Sequence, residues 1–130
     1  QAVRVSDRLQ GNPVHVGEVA RVCMGILDQM SVGADRHGVF HYCSLGETGY
    51  MDFAEAAMAC ASQYAPLASA SELLHDVTDE SRPLRNHTLD CSKIRREFGI
   101  QQLPWRHFIE RAVTRYLELY VEGEGVIEKS

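Results

Sequence analysis

Ser81 to Gly99 reads SRPLRNHTLDCSKIRREFG, and this stretch decides how the rest of the chain is read. Arg82-Pro83 marks a turn, because proline fixes its own φ and pushes the residue before it toward extended angles. His87-Thr88-Leu89 is a short extended run. A helix follows from about Ser92, and Gly99 stops it, since glycine accepts the left-handed conformation that closes a helix. The apolar segments on either side then read as packing partners for a sheet that this piece joins.

Val3-Arg4-Val5-Ser6 alternates apolar and polar residues and predicts a strand. Asp7 to Pro13, DRLQGNP, is rich in turn formers and predicts a loop. Pro13 restricts Asn12, so a helix is expected after it. From Val16 to Met30, the positions Val19, Cys23, Ile26 and Met30 recur at helical spacing and predict one buried face. Gly38 to Cys43, GVFHYC, is β-branched and aromatic and predicts a second strand. Leu45 to Gly49 reads as a turn with Thr48 as N-cap. A helix over Tyr50 to Tyr64 would bury Tyr50, Phe53, Ala54, Ala57, Ala61 and Tyr64, with Pro66 as its stop. Ser69 to His75 offers a helical turn and Val77 a strand residue. Pro104 opens the last helix, with Trp105, Ile109, Ala112, Val113, Tyr116, Leu117 and Tyr120 on its buried side. The organisation expected is one domain over 1–121 and a frayed tail over 122–130.

The chain has 130 residues and a formal net charge of −5, with 24% charged residues. An acidic chain argues against a nucleic-acid backbone as main partner. It does not exclude one anionic ligand held by a local arginine cluster. No apolar run approaches the ~20 residues of a membrane span. The cysteines at 23, 43, 60 and 91 form no Cys-x-x-Cys pair, which points to reduced thiols and a cytoplasmic setting. The opening Gln1-Ala2-Val3, without Met, reads as the middle of something longer. Strands alternating with helices favour an α/β arrangement with parallel pairing.

Several segments in order carry a family resemblance. They are Gly11-Asn12-Pro13-Val14, Val16-Gly17-Glu18-Val19-Ala20, Gly38-Val39-Phe40-His41, Tyr50 to Ala57, Arg82-Pro83, Leu89-Asp90-Cys91-Ser92-Lys93, Phe98-Gly99-Ile100 and Pro104-Trp105. Together they resemble the closing part of the dTDP-4-dehydrorhamnose reductase family. Those are extended short-chain dehydrogenase/reductases, of the NAD-dependent epimerase/dehydratase superfamily, that act on nucleotide sugars. The same segments are similar to the regulatory β subunit of methionine adenosyltransferase, a non-enzymatic relative. Val14 stands where the reductases usually have Thr, and the Arg-Pro segment carries one extra residue.

The resemblance implies the C-terminal portion of a Rossmann-type reductase, with few short parallel strands and about four helices. It implies a nucleotide-sugar substrate, and NAD or NADP for the complete protein. The family's Gly-rich turn over the pyrophosphate and its Tyr-x-x-x-Lys pair are absent from this chain, whose only lysines are Lys93 and Lys129. No activity is therefore expected of it alone, without the absent Rossmann half. Substrate contacts fall on Asn12, Arg82, Arg85 and Asn86. Guanidinium groups give bidentate contacts to phosphate oxygens. The competing reading has Arg82 paired with Asp79 or Glu80, and the two asparagines serving turn chemistry. Two further possibilities are a regulatory module docked on another protein and a homodimer. His37, His41 and Cys43 lack the partners of a tetrahedral metal site, and Cys91 lacks a neighbouring base.

Overall fold

The computed structural model describes the backbone of residues 2–127 and the side chains of residues 2–120. In chain order the elements are β1 (Val3–Val5), β2 (Leu9–Gly11), α1 (Val16–Ser31), β3 (Thr48–Gly49), α2 (Tyr50–Ala61), α3 (Ala70–Leu73), β4 (Leu74–Asp76), β5 (Arg85–Asn86), α4 (Ser92–Phe98), a 3-10 turn over Trp105–Phe108, and α5 (Ile109–Ile127). Two small sheets form. In one, β1 pairs with β4 in parallel, and Val77 N–H adds a bond to Val5 O at 2.8 Å. In the other, β2 lies between β3, which is antiparallel to it, and β5, which is parallel. The result is a mixed α/β chain, as expected for the class.

The core sits where α1 meets α4. Val22, Cys43, Cys91, Ile94, Phe98 and Ile100 form one buried cluster, with Ile26, Phe40 and Tyr42 packed against it. Phe40 meets Phe98 edge-on at 5.1 Å between centroids, a preferred aromatic geometry. Gln29 Nε2 donates to Phe98 O at 2.8 Å and ties the two helices together. Gly99 closes α4 at φ +65°, the left-handed position that suits glycine.

Glu18 is the buried charge in this arrangement, only 3% exposed. It lies in the first turn of α1, where the helix dipole favours a carboxylate. Burial alone would raise its pKa. Hydrogen bonds from Arg21 and Tyr42 outweigh burial, and the net shift is downward. The Tyr42 hydroxyl donates at 2.9 Å, and Arg21 Nε at 2.7 Å. A depressed carboxylate stabilises the fold fully above its unfolded pKa and loses that contribution as pH falls through the folded value. Glu18→Gln should therefore cost about 1–2 kcal/mol at neutral pH. The gap to wild type should narrow below the ordinary value of 4.5. Urea midpoints at pH 7 and pH 3.5 read this directly, and parallel pH dependences would contradict it.

Several expectations are corrected. The Asp7–Pro13 loop contains β2, and its central strand position comes from partners far away in sequence. Gly38 to Cys43 pairs with no strand among the described residues. The third extended run is displaced, because the ladder falls on Arg85–Asn86 and His87 only adds N–H to Gln10 O at 2.8 Å. Thr48 does not cap α2. It belongs to β3, and Gly49 occupies the N-cap position. Helix α2 ends at Ala61, short of Tyr64, and Tyr50 and Tyr64 are 53% and 49% exposed. Helix α1 has the expected bounds but a different buried face. Glu18 and Val22 are buried, whereas Val19 and Met30 are 41% and 40% exposed. On α5, Trp105 before it is buried, while Tyr116 and Tyr120 are each 59% exposed and stack on one another at 4.5 Å. The backbone of α5 continues to Ile127. The frayed tail expected over 122–130 concerns side chains, and beyond 127 a backbone, that lie outside the described residues.

Candidate functional site

The sheet β3-β2-β5 carries a groove on its surface. Register pairs Leu9 with Arg85 and Gln10 with Asn86. Two basins follow from this pairing. One, of about 300 Å³, is bordered by Gly11, Asn12, Pro13, Gly49 and Phe53. The other, of about 560 Å³, is bordered by Ser6, Arg8, Arg82, Pro83 and Arg85. Leu9, Tyr50 and His87 line both, so the basins are neighbours along one surface.

The second basin is cationic. Arg8, Arg82 and Arg85 all border it, and no carboxylate is among its lining residues. Asp79 organises the arginines from behind. Its carboxylate accepts from Ser81 N–H at 3.0 Å and Ser81 Oγ at 2.6 Å, and its backbone carbonyl accepts from Arg8 Nε at 3.1 Å. Those Ser81 bonds hold its pKa below the usual carboxylate range. Arg82 Nε also lies 3.4 Å from Asp79 Oδ2, with both side chains largely in solvent. Such an exposed pair is worth at most about 1 kcal/mol, so Arg82 is free to exchange partners.

The first basin is built by a tight corner. Asp7 Oδ1 accepts the Met51 N–H at 3.1 Å and so caps α2 from a distant part of the chain. The same carboxylate fills the space beside Gly49, where a Cβ would stand 2.6 Å from Asp7 Cγ. Asp7 N–H in turn donates to Thr78 Oγ1 at 2.9 Å. Asn12 borders this basin with its Oδ1 buried and unpartnered among the described residues. A buried acceptor without a donor calls for an explanation.

The four residues singled out by sequence are thus only partly together. Arg82 and Arg85 share one basin, Asn12 borders its neighbour, and Asn86 turns away. Asn86 Nδ2 donates to Glu47 Oε1 at 2.6 Å, and its Oδ1 accepts the Thr88 N–H at 2.8 Å. Sequence reasoning missed Arg8, Tyr50 and His87. Arg8 carried a signal, being the basic residue in a turn-rich segment before the Gly-x-Pro step. Tyr50 and His87 carried none until the two strands were paired.

Elsewhere the chemistry is quiet. Cys43 and Cys91 lie Sγ to Sγ at 3.6 Å, both buried. Burial, reinforced by Cys43, pushes the Cys91 thiol up to about 11, so it stays protonated and unreactive at neutral pH. Among the described residues no three His, Cys, Asp or Glu side chains converge as metal ligands. No helix among them is long and apolar enough to cross a membrane.

Comparison with known proteins agrees with the fold. The family described as RmlD substrate binding domain matches residues 1–118. A dTDP-4-dehydrorhamnose reductase of Aggregatibacter actinomycetemcomitans is 30% identical over 120 residues, covering 88% of this chain and 40% of that protein. The solved structure of a dTDP-4-dehydrorhamnose reductase from Clostridium acetobutylicum matches with a TM-score of 0.65. The match covers 88% of this chain and 39% of that one at 15% identity, a likeness of fold. The chain spans about two fifths of the length of these relatives. With the mixed α/β fold, the Asn12-Pro13 corner and the Arg-Pro turn in place, this chain belongs to the RmlD substrate binding domain family.

Proposed function

We propose that this chain is the nucleotide-sugar-binding part of an NAD(P)-dependent reductase resembling the dTDP-4-dehydrorhamnose reductases, and that it has no activity alone. The observation that carries the reading is the cationic basin. In a chain of net charge −5, Arg8, Arg82 and Arg85 border one cavity with no carboxylate in its lining. A diphosphate is the ligand chemistry that uses three guanidinium groups at once. The exposed ring of Tyr50, between the basins, offers a flat surface for a base or sugar. Asn12 Oδ1 gains a donor if a sugar hydroxyl enters the first basin.

The residues of this chain do not fit a dinucleotide. The N-termini of α1 to α4 are taken. His15 Nδ1 accepts from Gly17 N–H on α1, and Asp7 caps α2. Ser69 and Glu72 box α3, and Asp90 accepts from Ser92 N–H on α4. These four N-termini are therefore not free to face a pyrophosphate. NAD or NADP therefore belongs to the remaining three fifths of a reductase-length protein. This chain's part is to hold and orient the sugar nucleotide and to keep water from one side of it.

Calorimetric titration with a thymidine diphosphate sugar tests the reading. Each arginine contact to phosphate is worth about 1.5–3 kcal/mol. The Arg82→Ala/Arg85→Ala double variant should therefore bind at least about 100-fold more weakly. Arg115→Ala, on the exposed face of α5 and paired with Glu118, should bind as wild type. A flat titration of the wild type at millimolar ligand would overturn the reading and favour a module that docks on another protein.

A further inference from the structure

An apolar cleft of about 210 Å³ lies where α2 meets α5 and the chain enters α1. Phe53 and Ala57 of α2 form one wall, and Trp105, Phe108, Ala112 and Val113 form another. The run Pro13 to Val16 closes the third side. Aromatic contacts hold these walls in place. Phe53 meets Trp105 at 5.7 Å between centroids, and His15 stacks on Phe108 at 5.8 Å. The guanidinium of Arg106 lies over the Trp105 ring at 4.4 Å and fixes that ring further.

Three features say what this cleft takes. First, it continues the groove, because Pro13 and Phe53 border both the cleft and the first basin, beside Asn12. Second, no Lys, Arg, Asp or Glu is among its lining residues. Third, its side chains offer two hydrogen-bond donors and no open acceptor. His15 Nδ1 accepts the Gly17 N–H at 3.0 Å, which in the neutral ring puts the proton on Nε2. Trp105 supplies its indole N–H, a donor only. A sugar ring would bring hydroxyl donors that these side chains cannot receive, and an unpaired polar group is costly there. A carbonyl only accepts, and an alkyl tail suits the aromatic and aliphatic walls. Val14, standing where the resembled reductases usually have Thr, keeps a hydroxyl out of the lining.

We propose that the cleft is a subsite for an acyl group borne by the sugar of the nucleotide sugar. The acyl tail passes from the first basin over Pro13 and Phe53 and ends between Val14 and Ala112. The inference deepens the function proposed above and rests on the reading that the sugar occupies the first basin. Val14, Phe53 and Ala112 then determine which sugar is accepted, while the arginines of the second basin hold the diphosphate whatever the sugar carries.

The test is calorimetric titration of the protein at its native length with thymidine diphosphate glucose and its acylamino derivatives. Acetylamino and butyrylamino groups are placed at C2 in one series and at C3 in another. In one series the butyryl compound should bind about tenfold more tightly than the acetyl compound, since each buried methylene is worth about fourfold. Ala112→Phe fills the cleft from an exposed position on α5 and should bring that ratio to about 1. Val14→Thr keeps the shape but adds a hydroxyl, and should bring the ratio to about threefold. Binding with no acyl preference in either series overturns this inference and leaves the reading of the groove in place. A preference that neither variant changes puts the tail elsewhere and also overturns it. No binding of any of these sugars at millimolar concentration overturns both.

Discussion

Gly49→Ala is expected to lower the unfolding free energy by about 2–4 kcal/mol, or ~10 °C in Tm. The backbone itself would accept alanine there, since Gly49 sits at φ −84° and ψ 172°. The cost is steric. A Cβ would lie 2.6 Å from Asp7 Cγ, closer than the 3.0 Å that real Cβ contacts respect. Asp7 cannot step aside without releasing the Met51 N–H that it caps at 3.1 Å, and a lost cap costs about 0.5–2 kcal/mol. The collision also pulls on β2, because Asp7 lies two residues before its first residue, Leu9. A double-mutant cycle isolates the cause. In an Asp7→Ala background, Gly49→Ala should cost less than about 1 kcal/mol. Equal costs in both backgrounds, read from urea midpoints, would show that the carboxylate is not what excludes the methyl group.

Ile94→Ala is expected to cost about 3–5 kcal/mol, a large share of the ~5–15 kcal/mol that holds a domain of this size. Ile94 is 2% exposed and stands among Val22, Cys43, Cys91, Phe98 and Ile100. Those neighbours come from α1, α4 and the segments around them, so a cavity there loosens the joint between the two helices. Ile94→Val should cost only about 0.5–1.5 kcal/mol. Leu27→Ala, on the open face of α1, should change stability by less than about 0.5 kcal/mol. Chemical denaturation of the three variants reads the ranking. A small effect of Ile94→Ala together with a large one of Leu27→Ala would mean that α1 is packed the other way round.

The helices were legible because their signals are local. Pro13 before Val16, the Ser92 to Gly99 segment and Pro104 each mark a boundary within a few residues of the structure. The face that α1 buries was not legible. Hydrophobic periodicity reports the apolar side of a helix, and on α1 that side is exposed while the core takes Glu18 and Val22. Strand pairing was hidden for another reason. β2 reads as a polar turn and becomes a strand only through β3 and β5, dozens of residues away. The opposite error at Gly38 to Cys43 has the same root, since a strand needs a neighbour that local sequence does not name. Arg82 and Arg85 were visible in the Arg-Pro turn. Their convergence with Arg8 required the ladder.

Resonance mapping with a thymidine diphosphate sugar on isotope-labelled protein tests the central claim most directly. The account predicts saturable shifts at the backbone amides of Arg8, Tyr50, Arg82, Arg85 and His87, with Asn12 following at the sugar end. Shifts confined to the apolar cleft under Trp105 and Phe108, or none at millimolar ligand, would contradict it.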